Sequence, residues 1–171
     1  IPYDEGDVFK IENERIGTRY VQFIGRERMN DLICVFKANS SQKEFGLGEI
    51  EKLEVDFMIH THTGSGKFYY KWEKIGNAPT INIDDVYFWK KSIAPKVFPE
   101  LKDHQYQIWK HNQTVEFIDD LKKVSGKLVK GDVVDASWLM MFLQDHTVYE
   151  RYEKDETIMG IENPYIYATG L

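Results

Sequence analysis

A chain of 171 residues has the length of one ordinary domain and can bury roughly two-thirds of the surface its unfolded form exposes. With 42% apolar and 29% charged residues, its composition excludes an intrinsically disordered chain. A net charge of -6 repels nucleic acid and anionic membrane surfaces, so the partner expected from charge is a basic protein.

In chain order, short runs rich in β-branched and aromatic residues predict strands at 8–11, 19–25 and 32–36. Glu5-Gly6-Asp7, Glu12-Asn13-Glu14 and Met29-Asn30-Asp31 supply the turns between them. Gly6-Asp7 is expected to set the register of the first strand with Gly6 at positive φ, so that Gly6→Val costs about 1–3 kcal/mol. After a Gly-containing segment at 45–48, residues 54–61 alternate Val55, Phe57 and Ile59 with Asp56, Met58 and His60, the period of a half-buried strand. Thr63-Gly64-Ser65-Gly66-Lys67 reads as a flexible turn, followed by strands at 68–72, 86–89 and 106–109, with a loop marked by Pro95 and Pro99.

From Thr114 the apolar period changes. Val115, Ile118 and Leu121 recur at three-residue spacing, with Phe117 and Val124 widening the stripe, which predicts a helix from an N-cap at Thr114 to a stop at Ser125-Gly126. A second helix is predicted from Asp135 to about Tyr149, favoured by Ala, Leu, Met and Gln over the buried strand with which its continuous apolar run is also compatible. Residues 110–114 become a seam in one domain, 1–171, between a β-rich part (1–110) and a helical C-terminal part (111–171). The fold class expected is α+β: a twisted, partly barrel-like antiparallel sheet with the C-terminal helices packed on one side.

No motif points to chemistry. His60 and His62, at i and i+2, would share one face of a strand and could ligate a metal or serve a small hydrolase, but no third ligand has matching spacing. Gly64-Ser65-Gly66-Lys67 lacks the earlier glycine and the following hydroxyl of a phosphate-binding loop. Cys34 lies among apolar residues with no base nearby and reads as core. As the sole cysteine it excludes an intramolecular disulfide and fits a reducing compartment. Asp84-Asp85 and Asp119-Asp120 are adjacent acids whose side chains diverge, hence a solvated acidic surface. The rings of Tyr69, Tyr70, Trp72, Tyr87, Phe88 and Trp89, framed by Lys67, Lys71, Lys74, Lys90 and Lys91, suit a base-stacking platform in pattern, but the chain's acidity favours core or protein-interface use. No apolar run reaches the roughly 18 residues of a membrane-spanning helix, and the start at Ile1 is compatible with a removed leader.

The opening Tyr3-Asp4-Glu5-Gly6-Asp7-Val8-Phe9-Lys10-Ile11, the strand at 17–25 and the later Trp72-Glu73-Lys74-Ile75-Gly76-Asn77-Ala78-Pro79 resemble the immunity protein 26 family of bacterial polymorphic toxin systems. The resemblance covers about residues 2–109. It implies a cytoplasmic, non-catalytic protein that neutralises a cognate toxin by binding it, without cofactor or metal. From charge and pattern, Glu116, Asp119 and Asp120 on the outer side of the first predicted helix, with Tyr87 and Trp89, are the residues expected to meet a basic toxin. Reversing Asp119 and Asp120 is expected to slow association. A module binding a small ligand or peptide at the mouth of the sheet is the alternative.

Overall fold

The computed structural model describes residues 3–28, 30–37, 47–50 and 52–154. Met29 in the third expected turn, residues 45–46 of the Gly-containing segment, and the C-terminal part beyond 154 lie outside the described residues. The chain folds as two compact units: Ile1–Thr80 together with Val133–Leu171, and Ile81–Asp132 inserted between them. The fold class is α+β, and both sheets are open rather than closed into a barrel.

In the first unit a meander forms from β1 (Asp7–Asn13), β2 (Gly17–Glu27), β3 (Asn30–Phe36) and β4 (Val55–Thr61), preceded in the last case by a short helix α1 (Leu47–Ile50). With β5 (Glu73–Asn77) they order as β4-β3-β2-β1-β5, all antiparallel. The turns follow from local chemistry. Gly6 takes φ 89° and the Asp7 amide donates to the Asp4 carbonyl at 3.0 Å. At the β1–β2 hairpin the Asn13 side chain accepts from the amides of Arg15 and Ile16, both at 2.9 Å.

One register row, Phe9, Val21, Val35 and Phe57, crosses four strands on one face. The C-terminal helices α4 (Ala136–Gln144) and α5 (His146–Glu153) close that face with Leu139, Phe142, Val148, Tyr149 and Tyr152, and the Phe57 and Tyr149 rings stack at 4.0 Å. The opposite face is buried too, through Val8, Gln22, Cys34 and Met58, so Phe57–Thr61 of β4 is buried on both faces rather than half-buried as its alternation predicts.

Three other expectations are corrected. Residues 63–70 form a helix, α2 (Thr63–Tyr70), instead of a flexible turn running into a strand. The indole of Trp72 packs so close that a Cβ at Gly66 would lie 2.6 Å from it, and this tertiary contact overrides the low helix propensity of the glycines. The helix predicted from Thr114 is absent: Glu116–Ile118 is a strand, β8, followed by a 3₁₀ turn at Leu121–Lys123 and a further strand, β9 (Lys127–Lys130). The β-branched Thr114, Val115, Ile118 and Val124 favour extension, and Asp120 accepts from the Lys122 amide at 2.9 Å to start the 3₁₀ turn. The second predicted helix is two, divided at Asp145, which is extended in backbone and whose side-chain Oδ1 caps α5 by accepting from the Thr147 amide and hydroxyl.

The second unit is a four-stranded mixed sheet in the order β8-β7-β6-β9, with β6 (Val86–Lys91) between the antiparallel β7 (Tyr106–Trp109) and the parallel β9. A short helix, α3 (Ala94–Val97), and a 3₁₀ turn at Pro99–Leu101 occupy the loop marked by the two prolines. The expected seam at 110–114 falls inside this unit, between β7 and β8, and two strands lie in the part expected to be helical.

Candidate functional site

Strand periodicity sorts the second unit's side chains onto two faces. Val86, Phe88 and Trp109 are buried on one, where a Cβ at Gly131 would lie 2.5 Å from the Trp109 ring. On the other, Tyr87 and Trp89 of β6 stand in register with Leu128 and Lys130 of β9 and, through Ile108 of β7, with Glu116 of β8. The pairing Trp89–Ile108–Glu116 sets Glu116 two strands from Trp89, about 10 Å away. Tyr106 meets Trp89 edge to face at 6.0 Å, the Lys110 ammonium sits 5.0 Å over Tyr87, and that of Lys130 sits 5.7 Å over Trp89. Tyr87, Trp89 and Tyr106 are all half-buried, with charged side chains around them.

Of the residues expected to meet a partner, Tyr87, Trp89 and Glu116 therefore share one face of one sheet. Asp119 and Asp120 lie just past the end of β8, and neither is on a helix. Asp119 binds the Lys123 ammonium at 2.7 Å, and that ammonium holds its carboxyl below the usual carboxylate range. Its charge is largely neutralised locally, whereas Asp120 serves as a cap. Sequence reasoning missed Tyr106, Lys110 and Lys130. The strand at 106–109 is visible in the sequence, but its pairing with β6, and the parallel pairing of β9, are not.

His60 and His62 occupy different settings. His60 is 1% exposed on β4, with Nε2 3.4 Å from the Glu27 carboxylate, whereas His62 lies beyond the strand as the N-cap residue of α2. Among the described residues no group of three His, Cys, Asp or Glu side chains is placed to hold a metal ion. Cys34 is buried, as expected. Of the remaining ring candidates, Trp72 is core, while Tyr69 is exposed beside Phe68 at the end of α2, the two rings 5.0 Å apart.

A second cluster had no sequence signature. Residue pairing between β2 and β3 shifts at Ile24, which turns Arg26 onto the face of Phe23 and Asp31. The Arg26 Nε–H donates to Asp31 Oδ1 at 3.2 Å, and its Nη2 donates to the Tyr3 hydroxyl at 3.0 Å. The Tyr3 hydroxyl in turn donates to Asp31 Oδ2 at 2.6 Å, and the Thr63 amide donates to the same oxygen at 3.0 Å. Burial, the bond to Asp31 and the Asp31 charge raise the Tyr3 hydroxyl above its ordinary range, so it remains a donor at neutral pH.

A third cluster is structural. The shift between β3 and β4 leaves Asp56 unpaired in the ladder, where its carboxylate meets Arg19 Nη2 and His146 Nε2, both at 3.0 Å. Arg19 also donates to the Phe36 carbonyl through Nη2 at 2.9 Å.

No family model, no curated protein and no solved structure matches this chain. Among the described residues no helix is long and apolar enough to cross a membrane.

Proposed function

We propose that this protein is a non-catalytic immunity protein that acts in the cytoplasm, binding a cognate bacterial toxin and covering its active surface. The observation that carries this reading is the half-exposed row Tyr87, Trp89 and Tyr106, set in register with Glu116 and flanked by Lys110 and Lys130. Rigid aromatic anchors inside a charged rim are the composition of a protein-binding hot spot. The resemblance of residues 3–11 and 72–79 to the immunity protein 26 family supplies the kind of partner.

Charge is divided unevenly between the units. Residues 81–132 hold nine Lys against eight Asp and Glu, a net +1, so the rest of the chain carries -7 to give the total of -6. The acidic unit steers a basic toxin at long range, and the aromatic face holds it.

The test is to identify a candidate toxin domain from the neighbouring genes, co-express it with this chain, and follow with calorimetry on the purified pair. A stable complex and rescue of growth are expected. Trp89→Ala should weaken binding at least tenfold, about 1.4 kcal/mol, with little change in melting temperature. Absence of a complex and of rescue with the wild-type chain would sink the reading.

A further inference from the structure

We propose that the open depression between Tyr3, the end of β2 and the start of α2 is a binding site for a small oxyanion, a phosphate or carboxylate group on a compact ligand. The depression has a volume of about 540 Å³ and is lined by Tyr3, Arg26, Arg28, Asp31, His62 and Ser65. This site lies in the first unit and is independent of the toxin-binding face.

Arg26 is positioned in advance. Its guanidinium is held by the Asp31 carboxylate and the Tyr3 hydroxyl, and its carbon lies 5.5 Å over the Tyr3 ring. Those two bonds engage two of its five N–H groups, and the side chain is still 63% exposed, so donors remain for a ligand without a further loss of side-chain freedom. The Asp31 charge is already engaged inside the cluster. Its two oxygens already accept from Tyr3, Arg26 and the Thr63 amide.

Arg28, two residues further on, is exposed and makes no ion pair or hydrogen bond among the described residues. With histidine neutral, the lining carries two positive charges against one negative, a local excess of +1 in a chain whose net charge is -6. The Lys67 ammonium, 5.6 Å over the Tyr3 ring, adds to it. Two guanidinium groups converging on one hollow match the paired oxygens of a carboxylate or phosphate, which a single ammonium does not. Polarity also has a direction here. A neighbouring hollow of about 400 Å³ shares Tyr3 and Arg26 but is lined by Asp4 and Glu5, so the oxyanion is confined to the Arg28 side.

The experiment is an NMR titration of the full chain with inorganic phosphate and, separately, with succinate, following the backbone amides of Gly64 and Ser65 and the Nε–H signals of Arg26 and Arg28. Saturable shifts with a dissociation constant between about 0.1 and 10 mM are expected, an affinity that a few charge-assisted hydrogen bonds supply. Saturation by phosphate alone assigns a phosphate ligand, and saturation by succinate alone a carboxylate. Arg28→Ala should weaken the saturating ligand at least fivefold while leaving the thermal melt unchanged, because Arg28 is exposed. Linear shifts with both anions, or saturation undiminished in Arg28→Ala, would overturn the proposal.

Discussion

Replacing Gly6 by alanine isolates what the first turn demands. At φ 89° an L-residue pays about 1–2 kcal/mol in left-handed strain. A Cβ there would also lie 2.5 Å from the Ala78 carbonyl oxygen and 3.0 Å from the Asn77 side-chain amide. Relieving that overlap moves a carbonyl that accepts from Gln22 Nε2 at 2.9 Å, and disturbs the bond from the Ala78 amide to the Gly6 carbonyl, also at 2.9 Å. Two weakened hydrogen bonds add about 1–3 kcal/mol, and restricting the unfolded chain returns about 0.4–1 kcal/mol. The expected loss is about 2–4 kcal/mol, and the 1–3 kcal/mol anticipated for valine from positive φ alone is a lower bound. Gly17 is the control: its φ is 66°, but no atom lies within 4 Å of the place a Cβ would take, so Gly17→Ala should cost about 0–1 kcal/mol. Urea denaturation of both variants at one pH, compared by midpoint and slope, measures the difference. If Gly6→Ala lies within about 0.5 kcal/mol of Gly17→Ala, the close approach of the Ala78 carbonyl has no energetic weight and the reasoning is wrong.

Stability should fall at both ends of the pH scale for identifiable reasons. Burial raises the Asp7 carboxyl, but the Lys74 ammonium at 2.8 Å, the Asp4 amide and Asn77 outweigh it and leave the group below its ordinary value, so its contribution is present above about pH 4 and is lost as pH falls below that; Asp7→Asn should flatten the acid limb of a melting-temperature profile. Burial first, then the Glu153 and Asp56 carboxylates, hold the Tyr149 hydroxyl well above its ordinary range, so stability is present below about pH 10 and falls as pH rises past it, a limb that Tyr149→Phe should reduce. Asp56→Ala leaves the 8%-exposed Arg19 without its carboxylate and should cost about 2–4 kcal/mol, whereas His146→Ala, at a half-exposed pair, should cost under about 1 kcal/mol; equal losses in urea denaturation would contradict this ranking.

The meander was legible because its strands are rich in β-branched and aromatic residues and the turns before and after β1 carry Gly, Asn and Asp, and the strand expected at 106–109 is Tyr106–Trp109 itself. What could not be read was pairing. The i, i+3 spacing of Val115, Ile118 and Leu121 imitates a helix, and only the ladder partners Tyr106, Gln107 and Ile108 reveal a strand there. Likewise Gly64 and Gly66 suggested a turn because the indole that packs on Gly66 belongs to Trp72, six residues away. The candidate faces follow the same pattern. Tyr87, Trp89 and Glu116 were recognisable by residue type, but their common face depends on β7 lying between them. The grouping of Tyr3, Arg26 and Asp31 depends on a one-residue register shift at Ile24, for which a sequence carries no period.

The insertion of residues 81–132 bears on the order in which the first unit assembles. The helices α4 and α5 complete a core begun by β1 to β4, yet 52 residues separate Thr80 from Val133. While that stretch is unfolded, bringing its ends together costs about 2 kcal/mol more in loop entropy than a five-residue connection would. Once β6 and β9 pair in parallel, with Val86 opposite Lys127 and Trp89 opposite Lys130, most of that stretch no longer fluctuates as a loop. Early folding of the insert therefore shortens the flexible stretch across which that core must close, and substitutions at the β6–β9 seam should slow its closure.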